Sequence, residues 1–338
     1  MRKIKRRRGK NKVIIITSLC LLLVLTVGYA AFQTNLTLRA KGNIIVLQDL
    51  YVASFGSDTK GNGTREKPYA TIQRAYNMAG DTGSIHILDN ITQTDTINFD
   101  KDKDITLDSV NNNSIIRDTS LTSTLLNITT GTTTLQNITF DGNNIEVNRA
   151  LITAYNSNII VEDGTVVKNN YNTGDFGGGI FLSNSALIMN GGEFCDNNVT
   201  AGGAAIFVHI GASFVMNGGI IHDNAARDGA IWSRGEVVIN DGEIYNNTSS
   251  NGGGAISTNN ILTINNGNIY DNEAKNGGAI ASGYYEGEIS QITIKGGHIY
   301  NNVATSHGGG IWIHKVTAYS NTGGIIENNT PDNIYKQT

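Results

Sequence analysis

Proline is nearly missing from this chain: two in 338 residues, Pro68 and Pro331. Few backbone positions therefore lack an N–H, which suits strands that all donate to ladders. Cysteine is almost as scarce. Cys20 lies inside an apolar run and Cys195 is the other of the two. One cysteine outside that run makes no internal disulfide, so stability must come from packing. Charged residues are only 16% of the chain. No Ser-His-Asp order, nucleophile elbow or phosphate loop is visible, because the GGG stretches recur with a period and read as turn chemistry. His86, His209, His298, His307 and His314 share no zinc-type spacing.

Glycine is abundant instead, at 40 residues, and it recurs in register. From about residue 130 onward, one unit repeats every 23 to 31 residues. Its middle part reads MNGGEFCDNN, MNGGIIHDNA, INDGEIYNNT, INNGNIYDNE, IKGGHIYNNV and SNTGGIIENN. A fixed period of this size marks a solenoid, whose units bury their apolar faces only by stacking on each other.

The register can be followed residue by residue. Phe194, Ile221, Ile244, Ile269, Ile299 and Ile326 follow the glycine turn. Three positions on stand Asn197, Asn224, Asn247, Asn272, Asn302 and Asn329, with weaker copies at Phe140/Asn143 and Val167/Asn170. Before the turn, Leu187/Met189, Phe214/Met216, Val237/Ile239, Leu262/Ile264 and Ile292/Ile294 alternate as strands do. Ile180, Ile206, Ile231, Ile256, Ile280 and Ile311 open another short strand. The pattern predicts an all-β, right-handed parallel β-helix solenoid of roughly ten coils, each with three strands and three turns. Like residues on successive coils would lie about 4.8 Å apart. The asparagine column then reads as a structural ladder, each buried amide satisfied by its neighbours.

The N-terminal part divides further. Residues 1–12 carry eight Lys or Arg, and residues 13–32 carry no charge. A basic n-region before about 20 apolar residues reads as a signal peptide or a transmembrane anchor. Both options export the repeats. Cys20 lacks the small residues of a lipid-attachment motif before it. Residues 33–50 form a polar connector and residues 51–83 an N-terminal cap, with the β-helix repeats over 84–338. Within the cap, Ile72, Ala75, Tyr76 and Ala79 share one helical face, with Thr71 as N-cap and Gly80 as the stop. This helix is expected to cover the first coil. With eight of the 25 basic residues in the n-region, 17 face 29 acidic ones beyond it, about −12. Such an exported domain is a poor nucleic-acid binder.

The segment GSDTKGNGTREKPYATIQRAYNMA resembles the opening of exported right-handed β-helix proteins of the pectin-lyase-like class. The GGAI or GGGI units followed by F/I-x-x-N resemble the repeats of polymorphic outer-membrane adhesins and related bacterial surface proteins. The run ending GYAAFQTNL looks like the leaders of Gram-positive surface proteins. The resemblance implies a protein secreted by a Gram-positive bacterium or anchored to its cell surface through residues 13–32. It does not select an activity, because lyases, hydrolases, adhesins and spikes share this fold.

Relatives of the pectate-lyase type use clustered acidic Ca²⁺ ligands with an arginine base. Asp196 and Asp223 fall on adjacent coils and are the candidate metal ligands. Ca²⁺ is the ion such a pair would take, and otherwise no cofactor is expected. The alternative is a column of solvated turn residues interchangeable with Asn246, Asn301 and Asn328. Hydrolases of this class place two or three carboxylates in one groove. Asp223, His222 and Arg227 are the nearest candidates for catalytic residues, although the family's NTD, DD, GHG and RIK patterns are missing. The aromatic residues point elsewhere. Tyr245, Tyr270 and Tyr300 occupy one outward slot on three successive coils, and Phe181, Phe207 and Trp232 another, with Trp312 later. Exposed ladders of this kind offer flat surfaces for sugar rings; the alternative is that they only stabilise the solenoid face or are covered by loops. The expected function is adhesion or glycan binding without catalysis, with a polysaccharide or host cell-surface glycan as partner. A polysaccharide lyase or glycoside hydrolase is the alternative, and a structural surface spacer the third reading.

Overall fold

A strand alternating about an inward isoleucine, a glycine turn, and a strand again can close only by winding. In the computed structural model, which describes residues 48–174, 176–283 and 290–338, the chain winds into a right-handed parallel β-solenoid of about nine turns. The n-region, the apolar run 13–32 and the connector up to residue 47 lie outside the described residues. Among the described residues no helix is long and apolar enough to cross a membrane.

Among the described residues, four parallel sheets run along the solenoid, of 11, 10, 7 and 10 strands. One coil passes through Ser213–Met216 of the first sheet, Ile220–His222 of the second, Ala225–Asp228 of the third and Ile231–Ser233 of the fourth. The next coil begins at Glu236–Ile239. This corrects the expectation of three strands per coil. Three suffice for the two coils that begin at Thr82–Ile87 and Asp104–Ser109 and for the last, which begins at Ala318–Asn321, but from Glu146–Val147 to Val303–His307 each coil carries a short fourth strand. It has little apolar alternation, because its inward positions hold small or polar residues such as Ala226, Ser249 and Ala304.

The strands pair in the expected register. Ile221, Ile244, Ile269 and Ile299 are successive Cα partners in the second sheet. Each is 1% exposed or less. Burial of one such side chain contributes about 1.5–3 kcal/mol. Ile326, in the last coil, is only partly buried. The glycine turn is required sterically. Gly242 has φ 113°, and a Cβ there would lie 2.8 Å from the Gly219 carbonyl oxygen.

The asparagine column forms a continuous ladder. Asn170, Asn197, Asn224, Asn247, Asn272 and Asn302 each donate a backbone N–H to the Oδ1 of the next, at 2.9–3.2 Å. From Asn197 onward each Nδ2 also donates to a backbone carbonyl of the preceding coil, as Asn247 does to Ile221 at 3.0 Å. The ladder does not extend to Asn143, which is exposed in a left-handed turn with φ 57°. Arg117 closes that end instead. Its guanidinium is fully buried and donates to Asn170 Oδ1 and to the Ser123 carbonyl. Burial lowers it to about 10. At the far end Asn333 accepts from Asn329 at 3.1 Å.

The helix α1, Ile72–Met78, has Thr71 as N-cap, accepting from the Arg74 N–H at 3.1 Å. It ends at Ala79, one residue before the expected Gly80. Ile72, Ala75 and Tyr76 are buried, and the Tyr76 ring stacks on Phe99 at 4.2 Å.

Candidate functional site

On the second sheet the inward isoleucine dictates what its neighbours do. The residue after it points outward, so Cys195, His222, Tyr245, Tyr270 and Tyr300 share one column. The tyrosine rings stack at 5.0 and 5.1 Å and are half-buried. His222 continues the stack below Tyr245 at 5.0 Å, nearly parallel at 8°. His298 lies against Tyr300 at 4.3 Å. The Tyr270 hydroxyl donates to Glu243 Oε2 at 3.1 Å. Burial in the stack and that carboxylate push Tyr270 up to about 12.

The second aromatic column departs from expectation. Phe181 is half-buried, but Phe207 and Trp232 are 1% and 6% exposed. They point away from the solenoid interior yet are covered. Phe176 lies across them, 5.1 Å from Phe207 and 4.7 Å from Trp232. Phe207 stacks on Trp232 at 4.7 Å. As a continuous exposed strip, this column is overturned.

The same column then contains a gap. Trp232 is followed by Ser257, Ala281 and Trp312 on successive coils. Two small residues between two tryptophans leave a groove of about 410 Å³. Three rungs separate the tryptophan levels by about 14 Å. Asp228, Asn251 and Asn276 line one side, with Asn259 and His314 also facing the groove. Asp228 accepts from Asn251 Nδ2 at 2.7 Å and from Arg227 Nε at 2.8 Å.

The three catalytic candidates therefore separate. His222 and Asp223 are bonded, Nδ1 to Oδ2, at 2.6 Å. Arg227 instead pairs with Asp228 and lines the groove. The other imidazole nitrogen of His222, Nε2, lies 2.9 Å from Glu193 Oε1. Burial pulls His222 down, but hydrogen bonds to Asp223 and Glu193 and their charges carry it above the ordinary histidine value. Cys195, 4% exposed, sits one coil below. Burial, then Glu193 and Asp196, push its thiol up.

Asp196 and Asp223, the candidate metal pair, are exposed and left-handed, with φ 55° and 53°. Asn246, Asp271, Asn301 and Asn328 share that conformation. Asp and Asn tolerate it better than other residues with a Cβ, so turn geometry accounts for this column. Among the described residues, the donor set that does converge is Glu193, Cys195 and His222, whose ligand atoms all lie within 4.8 Å of one another. Its signal in the sequence was Glu-x-Cys on one strand face, with His at the cysteine's register one coil later.

A second asparagine ladder also escaped the sequence reading. Asn265, Asn240 and Asn217 each donate Nδ2 to the Oδ1 of the preceding coil's asparagine, at 2.7–2.9 Å, ending on Asn190. Asn190 in turn donates to Glu162. The residue after each Met or Ile in the repeat carried that signal.

No family model, no curated protein and no solved structure matches the chain.

Proposed function

We propose that this solenoid is an exported bacterial surface protein that binds glycan chains. On this reading it works as an adhesin-type β-helix rather than as a pectin-lyase-like enzyme. The observation that carries the reading is the groove between Trp232 and Trp312, floored by Ser257 and Ala281. Its volume falls within the usual range for small-molecule sites. Its length of about 14 Å leaves room for a short run of pyranose rings. The half-buried Trp312 suits the apolar face of a sugar, with the covered Trp232 closing the far end of the groove, and the amides of Asn251 and Asn276 suit its hydroxyls. The half-buried ladder of Tyr245, Tyr270 and Tyr300 supplies a second flat surface on another sheet. Binding is favoured over hydrolysis because Glu193 and Asp223 engage opposite nitrogens of one imidazole. That ring lies between them, where a hydrolase keeps its glycosidic bond.

The test is retention of the full chain, in detergent, on immobilised polysaccharides, with product ends assayed in parallel. Retention without new chain ends is the expected result. Ala281→Trp, which fills the groove, should abolish it. New chain ends would move the reading to a lyase or hydrolase, and no retention on a broad panel would move it to a spacer.

A further inference from the structure

We propose that Glu193, Cys195 and His222 form a binding site for a thiophilic divalent cation of the zinc class. The inference does not depend on glycan binding.

The placement follows from the strand pattern. Phe194 points into the core, so Glu193 and Cys195 both face outward from the strand Glu193–Cys195. Cys195 is the Cα partner of His222 on the next coil. One carboxylate oxygen, one sulfur and one imidazole nitrogen thus meet, each pair within 4.8 Å.

The imidazole is oriented for this role. Its Nδ1 is held by Asp223 Oδ2 at 2.6 Å, so Nε2 is the nitrogen turned toward Glu193. A carboxylate on the far nitrogen is how metal-bound histidines are commonly fixed. Tyr245, stacked on the ring at 5.0 Å and 8°, holds its plane.

The donor chemistry selects the ion. A hard cation such as Ca²⁺ takes six to eight oxygens. A thiolate, an imidazole and one carboxylate suit zinc, with Zn–S, Zn–N and Zn–O distances of about 2.0–2.3 Å. On binding, the Cys195 thiol proton and any proton on His222 Nε2 leave to solvent. The thiolate and Glu193 then match the two positive charges. Three protein ligands leave the fourth tetrahedral position for water, on the side where the Glu193 side chain is 39% exposed.

The experiment uses the full, untagged chain in detergent with Cys20→Ser, so that Cys195 is the one thiol. After chelator treatment it is titrated with Zn²⁺, and separately with Co²⁺ as an optical probe. One equivalent should bind, with a thiolate-to-cobalt charge-transfer band and tetrahedral cobalt absorption. A hundredfold excess of Ca²⁺ should not compete. Cys195→Ser should remove the charge-transfer band, and Asp223→Asn should weaken binding about 10- to 100-fold. Metal-free thermal unfolding of each variant reports whether it folds. If Cys195→Ser fails to fold, Glu193→Gln, which changes a half-exposed group, must weaken Zn²⁺ binding at least tenfold. No stoichiometric Zn²⁺ binding, a cobalt spectrum without thiolate character, or unchanged binding in folded Cys195→Ser would each overturn the proposal.

Discussion

One oxygen of Asn272 takes two hydrogen bonds from Asn247, from its backbone N–H and from its Nδ2, both at 3.0 Å. Asn272 in turn donates its own Nδ2 to Ile244 and Tyr270 carbonyls at 2.9 Å. A single buried amide thus satisfies backbone groups of its own and the preceding coil.

Asn272→Leu should therefore cost about 4 kcal/mol, because the buried Asn247 N–H loses its partner and two carbonyls lose a donor. Asn301→Gly, in the adjacent left-handed column, should be nearly neutral, since glycine adopts φ 56° without strain. Urea-unfolding midpoints of the two variants check the contrast. Equal losses would contradict the separation of ladder from turn.

Ile269→Asp should lower stability by about 3–5 kcal/mol, since it places an unpaired charge in the central stack. Tyr270→Asp, one residue on, should cost only about 1–2 kcal/mol through lost ring stacking. The same unfolding assay separates them, and an equal effect would refute the strand register.

Stability should fall as pH rises above the ordinary histidine value of 6.5. His86 is held above that value by its hydrogen bond to Asp108 at 2.6 Å, with Asp49 also near. A raised folded value contributes stability that is complete below the unfolded value and lost as pH passes through the folded one. His222 is raised in the same sense. In chelator-treated protein, His86→Gln should flatten part of the urea-midpoint profile above pH 6.5, and His86→Gln with His222→Gln more of it. An unchanged profile in the double variant would show that neither histidine carries the dependence.

Tyr270→Ala should reduce retention on a bound polysaccharide about tenfold if the tyrosine ladder contributes a central aromatic contact. Binding curves of folded wild type and variant measure it. An unchanged curve would confine binding to the tryptophan groove.

The solenoid was legible because each core residue is packed against its own copy one coil away. A period in the sequence is then a direct record of contacts, as for Ile244, Ile269 and Ile299, or Asn247, Asn272 and Asn302. What lacks a period was not legible. The fourth strand is held by backbone pairing around small residues such as Ala226 and Ala274, so it shows no apolar rhythm. Phe207 and Trp232 point outward as their column requires, but Phe176, which covers them, stands in the turn before Ile180, where the following coils carry Gly202, Asp228, Gly252 and Asn276 in place of an aromatic ring. Arg117 closes the asparagine ladder from a position where no repeat points to it. The groove was written in the column as two small residues, Ser257 and Ala281, between two large ones, and is visible only once absence is read as shape.

The asparagine ladder bears on how such a chain could change length over generations. Its inner rungs bond to neighbours of the same kind and to backbone carbonyls that each coil supplies, and its special partners, Arg117 and Asn333, stand at the ends. Duplication or deletion of one whole internal coil would leave no amide stranded and would alter the reach of the molecule by about 4.8 Å. Loss of part of a coil would break both the ladder and the isoleucine stack. Selection on such a protein can therefore act on its length in discrete steps while its ends stay constant.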